Sequence, residues 1–245
     1  MQVLKFGGSS VANAENMAKV VDIVVNAVDR DRTILVSSAI SGCTDTLIKI
    51  GTLASQRDES YKILIDELQE KHHVIIRDFL PLEKQAESQE VCDSLFDSLR
   101  SIAQGVFLLG ELSPASLDAI QGFGELWSTK ILATKLASIG IATKWIDSRN
   151  IIRTVAKGDK NIVDVQKTYS RVNEMVDSNP ITQIFVLPGF IASDKQGRTT
   201  TLGRGGSDYT AALYAVGCKA RVLEIWTDVP GMMTSNPKEI GRAHV

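Results

Sequence analysis

At 245 residues, with 44% hydrophobic and 23% charged residues, the sequence has the make-up of a globular protein able to bury a core, which excludes disordered and fibrous classes. A formal net charge of −2 and no clustered run of Lys or Arg leave no footprint for nucleic acid, so a small-molecule partner is the expectation. The opening MQVLKFGG lacks signal-peptide features and no stretch is apolar enough to span a membrane, which predicts a cytoplasmic protein.

Val3 to Phe6 is a short apolar run bounded by Gly7 and Gly8, the pattern of a buried strand ending in a turn. Helical spacing of apolar residues follows from about Asn13 to Val28, and Thr33 to Ile40 reads as the second strand. Ser41 to Asp45 offers N-cap chemistry ahead of Leu47, Ile48 and Ile50, so a second helix is expected there. Between Tyr61 and Leu109, apolar residues at helical spacing on either side of Pro81 predict a helical hairpin without chemistry of its own. His72 and His73 lie in it with no partner motif and are expected to be solvated. A further helix is expected from Ser113-Pro114 to Gly140, through Gly122 and Gly124. Glycines inside a helix cost about 1 kcal/mol each relative to Ala, which points to close approach by a ligand or another backbone.

Strand patterns then occupy Ile141 to Ile146 and Ile181 to Ala192, with Asp194 to Gly197 as a hairpin turn and Arg198 to Thr201 as its return. The segment Leu202 to Asp208 opens a helix over Tyr209 to Val216. Arg221 to Trp226 is the last strand, ending in Thr227-Asp228 and a loop from Val229 to Pro237. Apolar strands alternating with helices predict an α/β protein with parallel strands. The odd cysteine count (Cys43, Cys92, Cys218), without CxxC or Cys/His spacing, supports neither a disulfide framework nor a zinc site.

Gly7-Gly8 and Gly203 to Gly206 each fall between a strand and a helix, where unpaired N–H groups and the positive helix end can receive phosphate oxygens. No glycine precedes a lysine, which excludes a Walker A loop, and GxGxxG, HRD and DFG are absent. Specificity comes from the combination of KFGGSS at Lys5 to Ser10, GELWS at Gly124 to Ser128, TTTLGRGGSD at Thr199 to Asp208, and TDVPG at Thr227 to Gly231. Together these segments resemble the aspartate kinases of the amino acid kinase family, from Val3 to about Pro237.

The resemblance implies a three-layer αβα sandwich with a mostly parallel central sheet, and phosphoryl transfer from ATP, with Mg²⁺, to the side-chain carboxylate of L-aspartate. The product would be 4-phospho-L-aspartate, the first step towards lysine, threonine and methionine. By the same resemblance Lys5 and Asp208 are the catalytic pair, with Mg²⁺ near Asp208. Ser38, Thr44, Glu125, Arg204 and Ser207 would bind aspartate. Lys5, Gly7, Gly8, Ser9, Thr227, Asp228, Met233 and Lys238 would bind ATP, although Met233 stands where many relatives have an aromatic and Lys238 where an arginine is common. Read alone, Lys5 could be a solvated lysine, Arg204 a surface salt bridge and Asp208 a helix cap.

The closing Gly241 to Val245 resembles no part of the family pattern. The expectation is a catalytic domain over residues 1–240, truncated at its C-terminal end, with a remnant tail at 241–245, little kinase activity, and a parent that is a homo-oligomer. That parent would be a monofunctional aspartate kinase or the amino-terminal part of a fusion with homoserine dehydrogenase. Another amino acid kinase, taking glutamate, N-acetylglutamate or a nucleoside monophosphate, is the alternative within the class. A catalytically incomplete amino-acid-binding fragment is the alternative outside it.

Overall fold

A computed structural model of the chain describes residues 1–158 and 160–227. Its centre is a five-stranded sheet in the order β3-β6-β2-β1-β9, built from β1 (Gln2–Phe6), β2 (Thr33–Ser37), β3 (Thr143–Trp145), β6 (Ile184–Pro188) and β9 (Val222–Trp226). Every pairing in it is parallel. The β1, β2 and β6 strands are buried along their whole length, as parallel strands covered on both faces must be.

Alternation along these strands divides the core in two. Leu4, Phe6, Leu35, Ile184 and Val186 join the cluster that contains α1 (Ala14–Val28), α2 (Cys43–Ser55), α3 (Ser60–Phe79), α4 (Leu82–Leu109) and α6 (Phe123–Ser138). Val3, Ile34, Val36, Phe185 and Leu187 face the other way, against α7 (Val165–Asp177) and α8 (Gly206–Gly217). The result is the expected αβα sandwich. The period-2 geometry of a strand also sets the position of Lys5: it shares a face with Val3 and Val36, towards α8.

Several boundaries differ from the sequence expectation, each for a local reason. The helix expected from 114 to 140 is two helices, α5 (Pro114–Gln121) and α6, joined at Gly122. The run 181–192 is likewise split, because the chain turns at Gly189-Phe190 and sends β7 (Ile191–Ser193) into a separate antiparallel hairpin with β8 (Thr199–Thr201). The strand expected over 33–40 stops at Ser37, where the loop to α2 begins. A second hairpin, β4 (Thr154–Lys157) with β5 (Lys160–Val163), and the helix α7 were not anticipated.

The hairpin predicted around Pro81 is present as α3 and α4, but the solvated histidines are not. His72 is fully buried, its ring 4.8 Å from Trp127 and 5.5 Å from Phe96. Helical spacing sets it on the α3 face that carries Leu68 and Ile76, and burial lowers its pKa to about 4. His73 is half-turned to solvent and contacts Asp93 at 2.6 Å. The three cysteines are free. Among the described residues no helix is long and apolar enough to cross a membrane. The boundary expected at 240 and 241 lies outside the described residues.

Candidate active site

Parallel strands align their carboxyl ends on one edge of the sheet, and the loops that follow β1, β2 and β6 converge there. They surround a cavity of about 350 Å³ whose lining includes Lys5, Gly8, Ser38, Thr44, Glu125, Arg204, Ser207 and Asp208. Every residue expected to bind the amino acid, and both members of the expected catalytic pair, therefore meet in one place.

Lys5 is 8% exposed, and its ammonium lies 2.7 Å from Asp208 Oδ1. The contact is an ion pair whose angles fall outside those of a hydrogen bond, since Oδ1 has no aligned donor. Asp208 stands in the first turn of α8 with about half its side chain exposed, so one carboxylate holds the lysine and still faces the cavity. The loop that delivers it depends on Gly205, whose φ of 74° is in the left-handed region that favours glycine, immediately before the helix begins. Arg204, next to it, is exposed and lines the cavity, with no ion-pair partner among the described residues.

Glu125 is the most unusual group. It is 3% exposed, Oε1 accepts the Ala39 N–H at 3.2 Å, and Oε2 is buried with no partner among the described residues. Burial pushes its pKa up to about 8. A carboxylate held this way is suited to a cationic ligand group that completes its hydrogen bonding. Its helix is held close by Gly124: a Cβ at that position would lie 2.6 Å from Ala39 Cβ and 3.3 Å from Cys43 Sγ. The in-helix glycine thus serves approach of the β2–α2 loop. Gly124→Ala is expected to force α6 away from that loop at roughly 1–3 kcal/mol, the usual cost of overpacking. Thermal unfolding measures this, and an unchanged midpoint would show that the two segments separate freely.

Helix ends supply the remaining polarity, and of the two expected only that of α8 lines the cavity. The N-terminus of α1 is closed to phosphate, because a 3-10 turn at Gly8–Val11 intervenes, the Asn13 side chain accepts the Asn16 N–H at 2.9 Å, and Glu15 adds negative charge. The first turns of α2, with Gly42 and Thr44, and of α8, with Gly206 and Ser207, line the cavity instead. Of the residues expected at ATP, Lys5 and Gly8 are in this cavity. Ser9 and Thr227 line a neighbouring depression floored by Phe6 and Trp226, whose rings stack 5.9 Å apart. The Gly7 N–H is directed at Trp226 O, at 3.4 Å. Asp228, Met233 and Lys238 lie outside the described residues.

Three supporting residues were missed. Asp118 on α5 accepts the Thr201 hydroxyl at 2.8 Å and its N–H at 3.3 Å, anchoring the start of the loop that carries Arg204. Thr129 donates to Glu125 O at 2.6 Å and receives Trp145 Nε1 at 2.9 Å. Phe190 lines the cavity at a φ of 66°, in a tight turn closed by the Ile191 N–H on Gly189 O at 2.6 Å. No periodicity marks such positions. The doublet Pro188-Gly189 was the available signal for the turn.

The profile of the Amino acid kinase family matches residues 1–245. The chain is 32% identical over 243 residues to the bifunctional aspartokinase/homoserine dehydrogenase 2, chloroplastic, of Arabidopsis thaliana, covering 98% of this chain and 26% of that protein. It is also 32% identical over 243 residues to the lysine-sensitive aspartokinase 3 of Escherichia coli (strain K12), covering 98% of this chain and 52% of that one. The crystal structure of E. coli aspartokinase III in complex with aspartate and ADP superposes with a TM-score of 0.86 at 30% identity, over 97% of this chain and 51% of that chain. The chain thus spans between about a quarter and a half of the length of these relatives.

Proposed function

This chain belongs to the amino acid kinase family, and from that premise we propose that it transfers the γ-phosphoryl group of ATP to the side-chain carboxylate of L-aspartate. The observation that carries the proposal is Glu125, buried with one oxygen unpartnered among the described residues, across the same cavity as Arg204, which makes no ion pair among them, and the Lys5–Asp208 pair. An α-amino acid presents an ammonium to Glu125 and an α-carboxylate to the planar fork of Arg204, leaving its side-chain carboxylate to meet Lys5. That the E. coli relative binds aspartate and ADP, by the description of its structure, supports the same assignment.

The reacting carboxylate has an ordinary pKa near 4 and is an anion at neutral pH, so no general base is required. Its oxygen attacks the γ-phosphorus in line as the bond to the ADP oxygen breaks. The barrier is electrostatic, because two anions approach and charge spreads over the transferring group. Lys5 faces that charge, held by Asp208. The first turns of α2 and α8 add N–H donors. Asp208 would hold Mg²⁺ bound with ATP, and the ion would supply further charge neutralisation there.

The unpartnered Glu125 oxygen argues for a free ammonium and hence against N-acetylglutamate or a nucleoside monophosphate. Against glutamate the discrimination rests on one methylene, worth roughly 1–3 kcal/mol. A coupled ADP-release assay across these acceptors, run beside calorimetry with aspartate, tests the reading. Aspartate should be the preferred acceptor, or the ligand bound where turnover is absent; preference for any of the others would overturn it.

A further inference from the structure

We propose that the cavity between α4 and α6 is a second ligand site, built for a small carboxylate with an apolar body about the size of a benzene ring. It encloses about 170 Å³ and shares no lining residue with the cavity of Lys5 and Glu125. Cavities of roughly 150 Å³ with apolar walls accept benzene. Val91 and Leu95 of α4 and Ile131 of α6 provide such walls.

Three polar groups of the lining have no hydrogen-bond acceptor or ion-pair partner among the described residues. Trp127 is 1% exposed and its indole N–H finds no acceptor among the described residues; the Ser88 hydroxyl is likewise buried and unbonded among them. The Lys130 ammonium lies 3.7 Å from the centre of the Trp145 ring and makes no ion pair among the described residues. An indole N–H and an ammonium can only donate, and a hydroxyl can donate, so the group that satisfies all three is rich in acceptors. A carboxylate meets that need. It would also keep charged a lysine whose pKa burial lowers. The acid at the mouth, Glu87, is already paired with Lys84 at 3.1 Å. The site is tied to Glu125 through Trp145, which donates to the Thr129 hydroxyl, which in turn donates to Glu125 O.

Nitrogen-resolved NMR of the 245-residue chain during titration with benzoate tests this. The indole N–H resonances of Trp127 and Trp145 should shift and saturate, with the Glu125 amide following. Lys130→Gln should weaken benzoate at least tenfold, and benzene, which lacks the carboxylate, should bind the parent at least tenfold more weakly than benzoate does. Val91→Phe, at an exposed position on the rim, should abolish the response without disturbing the core. Arg204→Ala, in the other cavity, should leave it unchanged. The proposal is overturned if neither indole moves, if Lys130→Gln and Val91→Phe both bind as the parent does, or if Arg204→Ala removes the response.

Discussion

Replacing Lys5 by methionine should lower the rate of aspartate phosphorylation by two or more orders of magnitude, about 3 kcal/mol of transition-state stabilisation, in a chain competent for turnover. The size follows from position. Lys5 is at the carboxyl end of β1, on the face covered by α8, with 10% of its side chain exposed and Asp208 at 2.7 Å. The charge it meets is the charge that grows on the transferring phosphoryl group, which bound aspartate alone does not carry. Aspartate KM should therefore change little while kcat falls. Methionine keeps the packing of the lysine stem, so the thermal midpoint should be near that of the parent. Asp208→Asn should produce the same kind of defect in smaller measure, because Lys5 stays and only its orientation is lost. Near-normal turnover in Lys5→Met would sink the assignment.

The second large effect is expected at Glu125, where function and stability should move in opposite directions. Glu125→Gln removes the charge that would face the substrate ammonium in a buried site, a loss of roughly 2–3 kcal/mol or about 30- to 150-fold in aspartate affinity. The parent side chain has a folded pKa raised from 4.5 to about 8. Its neutral form therefore contributes stability that is fully present below pH 4.5 and is lost as pH rises towards 8. The glutamine variant lacks this loss. Its midpoint relative to the parent should rise steadily between those pH values, and a gap independent of pH would refute the buried, protonated carboxyl. The same shift predicts that aspartate binding near pH 7 releases about one proton, read by calorimetry in buffers of different ionisation enthalpy, and that aspartate binds more tightly as pH rises towards 8.

The αβα class, the parallel strands at Val3, Thr33 and Ile184, the break at Pro81 and the loop before α8 were all legible as local chemistry: buried apolar runs, helical spacing, and glycines where the backbone must turn. The segments TTTLGRGGSD and GELWS also marked the residues that line the cavity. Their roles were not local. Lys5 and Asp208 are 203 positions apart, and only strand alternation together with the parallel order of β1 beside α8 brings them within 2.7 Å. Glu125 was marked by the GELWS resemblance, but its burial was not: Gly124 lets α6 close on Ala39, and one carboxylate oxygen is left without a donor among the described residues. His72 was misread for the same reason: its residue type says polar, while the α3–α4 hairpin packs its face against Phe96 and Trp127. Sequence by itself determined the central strands, the helices on either side of Pro81 and the glycine turn before α8, because those depend on neighbours along the chain, whereas it did not mark the β4–β5 hairpin or α7. Burial, and with it the charge state of Glu125 and the partnership of Lys5, was decided only by the tertiary structure, because desolvation depends on what the rest of the chain brings alongside.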